Sequence, residues 1–157
     1  MLTRENSKFC FYTKFIPGDF VYSMSKEVTV DDVRSFTMEQ FERMKKANDM
    51  KKLVHFHTIN KYLLMAHGQQ ELRFLGNLVA NREKASLESI LDKYEEHLKL
   101  ALKGEPTISS TANVLNKIYS HFKKKFTKEE KLLFLRTIQD YRDKKITLSE
   151  ILNHGDY

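Results

Sequence analysis

Between residues 53 and 80 the chain reads LVHFHTINKYLLMAHGQQELRFLGNLVA, and its apolar positions fall at helical intervals. Phe56, Ile59, Leu63 and Ala66 share one face, with Tyr62 alongside, which predicts a helix over residues 52–67. At 100° per residue, His57, Asn60, Lys61, Leu64 and His67 fall within a sector of about 120° on another side. Glu71 joins that sector if the helix runs on through Gly68. Gly76 lies in a second apolar run over residues 72–80. A glycine inside a helix costs roughly 1 kcal/mol relative to alanine, so it marks either a close backbone approach or a break.

The same periodicity recurs elsewhere with capping signals. Thr29, followed by Asp31 and Asp32, reads as a helix start. Thr37 with Gln40 is a capping-box pattern, beginning a separate helix or lying in a continuing one, with Phe41 and Met44 on its apolar side. Ser86, Glu88 and Ser89 open an amphipathic helix with Leu87, Ile90, Leu91, Tyr94, Leu98, Ala101 and Leu102 inward, and Gly104 and Pro106 close it. Its Glu95 and Lys99 are spaced as an i,i+4 ion pair. From Asn113 onward, Leu115, Ile118, Tyr119, Phe122 and Phe126 form one face. Opposite them Lys117, His121, Lys124 and Lys128 recur at i, i+4, i+7 and i+11, with Lys123 and Lys125 on the shoulders. Thr127 with Glu130 caps a further helix carrying Leu132, Leu133, Leu135, Ile138 and Tyr141, and Thr147 with Glu150 repeats the pattern before Ile151 and Leu152. The expected fold class is all-α, a bundle-like domain of five or six helices.

The first residues differ. Phe9, Phe11, Tyr12, Phe15 and Ile16 precede Pro17-Gly18-Asp19, and Phe20, Val21 and Tyr22 follow, which reads as a small hairpin or an extended arm packed on the helices. The chain is accordingly divided into an arm over residues 1–28 and a helical domain over 29–157.

With 157 residues there is enough chain for one sizeable core. No apolar run is long enough to span a membrane, and the N-terminus lacks a signal-peptide pattern, so a cytoplasmic protein is expected. Cys10 is the only cysteine, which excludes an internal disulfide, a cysteine-rich zinc site and a self-contained iron–sulfur cluster. No His-x-x-x-His, phosphate-binding glycine loop or Gly-x-Ser-x-Gly occurs, so neither a metal nor a cofactor is expected. The formal charge of +6 is unevenly placed: residues 113–145 hold ten Lys/Arg against four Asp/Glu. That asymmetry points to an anionic partner.

Two stretches carry a resemblance. One holds Leu53-Val-His-Phe-His57, Lys61-Tyr62-Leu-Leu-Met-Ala-His67 and Leu75-Gly76-Asn-Leu-Val-Ala80. The other holds Asn113-Val114-Leu115, His121-Phe122-Lys123-Lys124, Glu130-Lys131, Ile138-Gln-Asp-Tyr141-Arg142 and Leu152-Asn153-His154. Together these resemble the YbgA family of domains of unknown function over residues 37–154. Asn60 and Thr111 stand where that family's pattern usually has histidine. Members of the family occur alone or joined to cysteine-rich domains resembling desulfidases that act on thiouracil, including thiouridine in transfer RNA. The resemblance implies a stand-alone module that grips RNA, with a desulfidase-like protein as partner, since this chain lacks the cysteines for that chemistry.

Two candidate sites follow. Lys117, His121, Lys123, Lys124, Lys125 and Lys128 would neutralise phosphates and bind nucleic acid in a salt-sensitive way, and the solvated outer face of a helix has the same pattern. His57, Asn60, Lys61 and His67, with Asn113, would line a pocket, and the same histidines would also serve as buried packing groups. The leading expectation is an RNA-binding accessory domain for structured RNA such as tRNA. An enzyme acting on a nucleotide or modified base through His57, Lys61 and His67 is the first alternative, and a helical scaffold docking on a protein partner is the second.

Overall fold

The computed structural model describes residues 29–152, and among them there is no strand. The expected aromatic arm over residues 1–28, Cys10 included, lies outside the described residues, as do Asn153 and His154. The fold is all-α. Contacts divide it into two compact units, Val28–Pro106 and a second whose described part runs from Thr107 to residue 152.

In the first unit, helix α1 (Val30–Lys46) opens on a closed capping box. The Thr29 hydroxyl accepts from the Asp32 N–H at 3.0 Å, and the Asp32 carboxylate accepts from the Thr29 N–H at 3.0 Å. Those bonds hold the Asp32 carboxyl below its ordinary value. Thr37 starts no second helix: it is buried inside a continuous α1. Helix α2 (Met50–His67) starts two residues ahead of the apolar pattern because Asp49 caps the Lys51 N–H at 2.9 Å. It stops at His67, where Gly68 turns extended, so Glu71 belongs to the next helix, α3 (Gln69–Ala80). Gly76 stays helical within α3, and a Cβ there would meet His57 Nε2 at 3.8 Å, an ordinary contact. Asn81 ends α3 in the left-handed region (φ 47°). Its side chain fastens the turn, accepting from the Ala85 N–H at 2.9 Å and donating to the Ala85 carbonyl at 3.3 Å. Ser86 then caps α4 (Leu87–Lys103).

Helix α4 touches each of the other three. Its apolar face, Ile90, Leu91, Tyr94, Leu98 and Leu102, packs with Val33 and Phe41 of α1, Leu53, Phe56, Leu63 and Leu64 of α2 and Leu75 of α3. Phe41 stacks on Tyr94 at 5.7 Å, and Phe56 meets both edge-on at 5.6 and 6.0 Å. Polar ties fix the rim. Arg34 donates to the Leu102 and Lys103 carbonyls at the C-terminus of α4, and Lys45 pairs with Glu95 at 2.9 Å. The expected Glu95–Lys99 pair forms at 3.7 Å.

In the second unit, α5 (Ile108–Phe122) begins before Asn113, because Thr107 and Ser110 form a capping box that the apolar pattern alone did not expose. It ends at Phe122 in a single 3₁₀ turn (Lys123–Lys125), after which Phe126 is extended. Thr127 and Glu130 then cap α6 (Lys128–Arg142), and Thr147 caps the short α7 (Leu148–Leu152). Helices α5 and α6 pack together. Phe126 and Tyr119 lie against Phe134 at 5.7 and 5.6 Å. Leu132 and Leu135, read as apolar positions of α6, point outward; its inward face is Phe134, Thr137, Ile138 and Tyr141.

Candidate functional site

The polar sector of α2 resolves into two pairs. Asn60 and His67 turn inward. Asn60, 1% exposed, donates to the Phe56 carbonyl at 3.0 Å and to Gln40 Oε1 at 3.2 Å, which ties α2 to α1. His67, 6% exposed, lies 2.7 Å from the Gly104 carbonyl. A carbonyl only accepts, so Nδ1 carries the proton and donates. Nε2 is then the unprotonated nitrogen of a neutral ring, buried without a hydrogen-bond partner. Burial lowers the pKa of His67, and Arg34 nearby adds to that, against an opposing pull from the Gly104 carbonyl. His67 thus works beside Arg34 in closing the C-terminal end of α4.

His57 and Lys61 sit one turn apart and are only partly buried. His57 Nδ1 and the Tyr94 hydroxyl share a hydrogen bond of 2.9 Å, the proton coming from either partner according to the imidazole tautomer. Burial lowers the His57 pKa, and the Lys61 ammonium lowers it further. Burial raises that of Tyr94 far above its ordinary value. Lys61 lies 5.1 Å from the centroid of the Tyr62 ring. A neutral imidazole beside an ammonium can accept a hydrogen bond while the cation holds an anionic group. Asn113 lies in the other unit, where its side-chain oxygen accepts from Arg142 at 3.0 Å.

Lys117, His121, Lys123, Lys124, Lys125 and Lys128 are all exposed. Their helical spacing over eleven residues is not realised, because α5 ends at Phe122. Instead they occupy the last turns of α5, the 3₁₀ turn and the first residue of α6. Among the described residues none of the six lies within ion-pair distance of a carboxylate. Lys125 lies 5.6 Å from the Phe122 ring centroid, and His121 meets the same ring edge-on at 4.8 Å.

A third constellation has no signature in the sequence pattern. Glu71 and Phe74 of α3 converge on His97 of α4: the imidazole Nδ1 lies 2.8 Å from Glu71 Oε2, and the Phe74 ring stacks on it at 3.7 Å. Phe74 and His97 border a cleft of about 560 Å³ that Asn77, Arg82 and Lys93 also help to line. The i,i+3 spacing of Glu71 and Phe74 was visible in the chain, but nothing local pairs either with a residue 23 or 26 positions later. Among the described residues no group of three or more His, Cys, Asp and Glu side chains is placed to hold a metal ion. Nor is any described helix long and apolar enough to cross a membrane.

Residues 61–154, more than half of the chain, match the family model described as protein of unknown function (DUF1722). The chain belongs to that family. No curated protein and no solved structure matches it.

Proposed function

We propose that this member of the DUF1722 family is an RNA-binding accessory domain of the YbgA type, gripping structured RNA such as tRNA beside a desulfidase-like partner in the cytoplasm. The observation that carries the reading is the group of exposed cations around the α5–α6 corner, from Lys117 to Lys128, with no carboxylate in ion-pair range among the described residues. Helix electrostatics account for part of it. Lys123 follows the C-terminus of α5, where the dipole favours a cation, but Lys128 is the first residue of α6, where the dipole disfavours one. A cation held at the wrong end of a helix is consistent with an external anion. His57 and Lys61 supply the more selective polar contact in this reading.

The test is fluorescence anisotropy of the full chain with labelled tRNA at rising salt. With about four phosphates neutralised, affinity falls roughly a hundredfold between 50 and 200 mM salt. Lys124→Glu with Lys128→Glu weakens binding by about tenfold or more and flattens the salt slope by about two. Absence of binding at low salt, or binding indifferent to salt, overturns the proposal.

A further inference from the structure

We propose that the cleft between α3 and α4 is a binding site for a nucleobase-type ring, with the open part of Phe74 as its stacking surface. Helical spacing builds the two walls. Phe74, Asn77 and Leu78 line up along α3, and Ile90, Lys93 and His97 along α4, with the turn that begins at Asn81 closing one end.

Phe74 remains 41% exposed although it is a large apolar ring, and it lines this cleft. It is not loose. The His97 imidazole covers it at 3.7 Å and 25°, and the carboxylate of Glu71 accepts from that imidazole's Nδ1 at 2.8 Å. His97, itself fixed by Glu71, therefore holds one aromatic ring still with part of its surface open, and a platform ordered in advance loses little entropy when a second ring stacks on it. The cleft's volume lies within the range of small-molecule sites.

Its charges narrow the ligand. Arg82 and Lys93 are balanced by Glu83 and Glu96, and among the described residues none of the four is in an ion pair. A polyphosphate gains nothing from such a balance. A neutral ring with a hydrogen-bonding edge suits it better, because the Asn77 amide offers both a donor and an acceptor. An aliphatic ligand would leave the aromatic surface unused. The chemistry is that of a nucleobase, whether in a free nucleoside or as an unpaired base of a nucleic acid. It does not depend on the lysine group of the α5–α6 corner.

The experiment follows backbone amide signals of the full chain by NMR during titration with adenosine, a short single-stranded oligoadenylate, and ribose 5-phosphate. Adenosine is expected to shift signals of Phe74, Asn77 and His97 in a saturable way, and ribose 5-phosphate is not. Phe74→Ala weakens adenosine binding about tenfold or more, and Phe74→Trp retains it. An oligonucleotide that binds these same residues more tightly than adenosine identifies an unpaired base as the source, and equal affinity identifies the free nucleoside. The inference is overturned if adenosine produces no saturable shift there, if ribose 5-phosphate does as well, or if Phe74→Ala leaves affinity unchanged while the amide spectrum stays that of the folded chain.

Discussion

Gly104 has an ordinary extended backbone, so no special dihedral calls for glycine there. Space does. A Cβ at this position would lie 2.2 Å from the His67 carbonyl oxygen, which belongs to backbone and has little room to move. Gly104→Ala is expected to lower stability by about 2 kcal/mol or more, measured by urea unfolding; a change within 0.5 kcal/mol would show that the α2 and α4 ends separate easily. Tyr94 is bound differently. Its ring is fully buried between Phe41 and Phe56 while its hydroxyl reaches His57. Tyr94→Phe keeps the packing and removes the bond, for an expected loss of about 1 kcal/mol. None of these partners is adjacent in the chain, so the sequence pattern marks Gly104 only as a helix stop and Tyr94 only as core.

At the scale of elements, local chemistry decided where helices begin, and burial decided which signals were ignored. The boxes at Thr29, Thr107 and Thr127 all closed, whereas the similar pattern at Thr37 did not, because its side chain faces the core of a continuous helix. Replacing Thr127 by Ala should cost about 1 kcal/mol and fray the start of α6, readable as faster amide exchange over its first turn. The C-terminus of α6 has an opposite opportunity. Lys144 is held at φ 60°, a conformation that a side chain disfavours. Lys144→Gly is expected to raise stability by about 0.5–1 kcal/mol, and a thermal midpoint that drops instead would show that the lysine side chain matters more than the strain.

For the whole molecule, His57 and His67 make stability depend on pH. Burial lowers the pKa of both His57 and His67 in the folded chain, from an ordinary value of 6.5. Above that value both states are neutral and stability is at its full level. As pH falls through 6.5 the unfolded chain takes up protons that the folded chain refuses, so stability declines until these two rings themselves protonate in the folded chain. Urea midpoints measured from pH 8 down to pH 5 should therefore fall below about pH 6.5. His57→Gln should make the decline shallower, and a profile unchanged by that substitution would remove His57 from the account.

The all-α class, most helix starts and the inward faces of α2 and α4 are legible in local sequence pattern alone, because 3.6-residue periodicity and capping chemistry act over a few neighbours. So is the location of the excess charge, which is a property of composition. Tertiary structure decided the rest. It sent Asn60 and His67 inward as ties to Gln40 and Gly104, left His57 and Lys61 near the surface, ended α5 before the lysine series was complete, and brought Glu71 and Phe74 to His97. Each of those outcomes depends on which helix packs against which, and the free energy of that choice is spread over contacts between distant positions. A helical pattern shows which side of a helix is polar; only the neighbouring helix settles whether that side is a surface, a seam or a site.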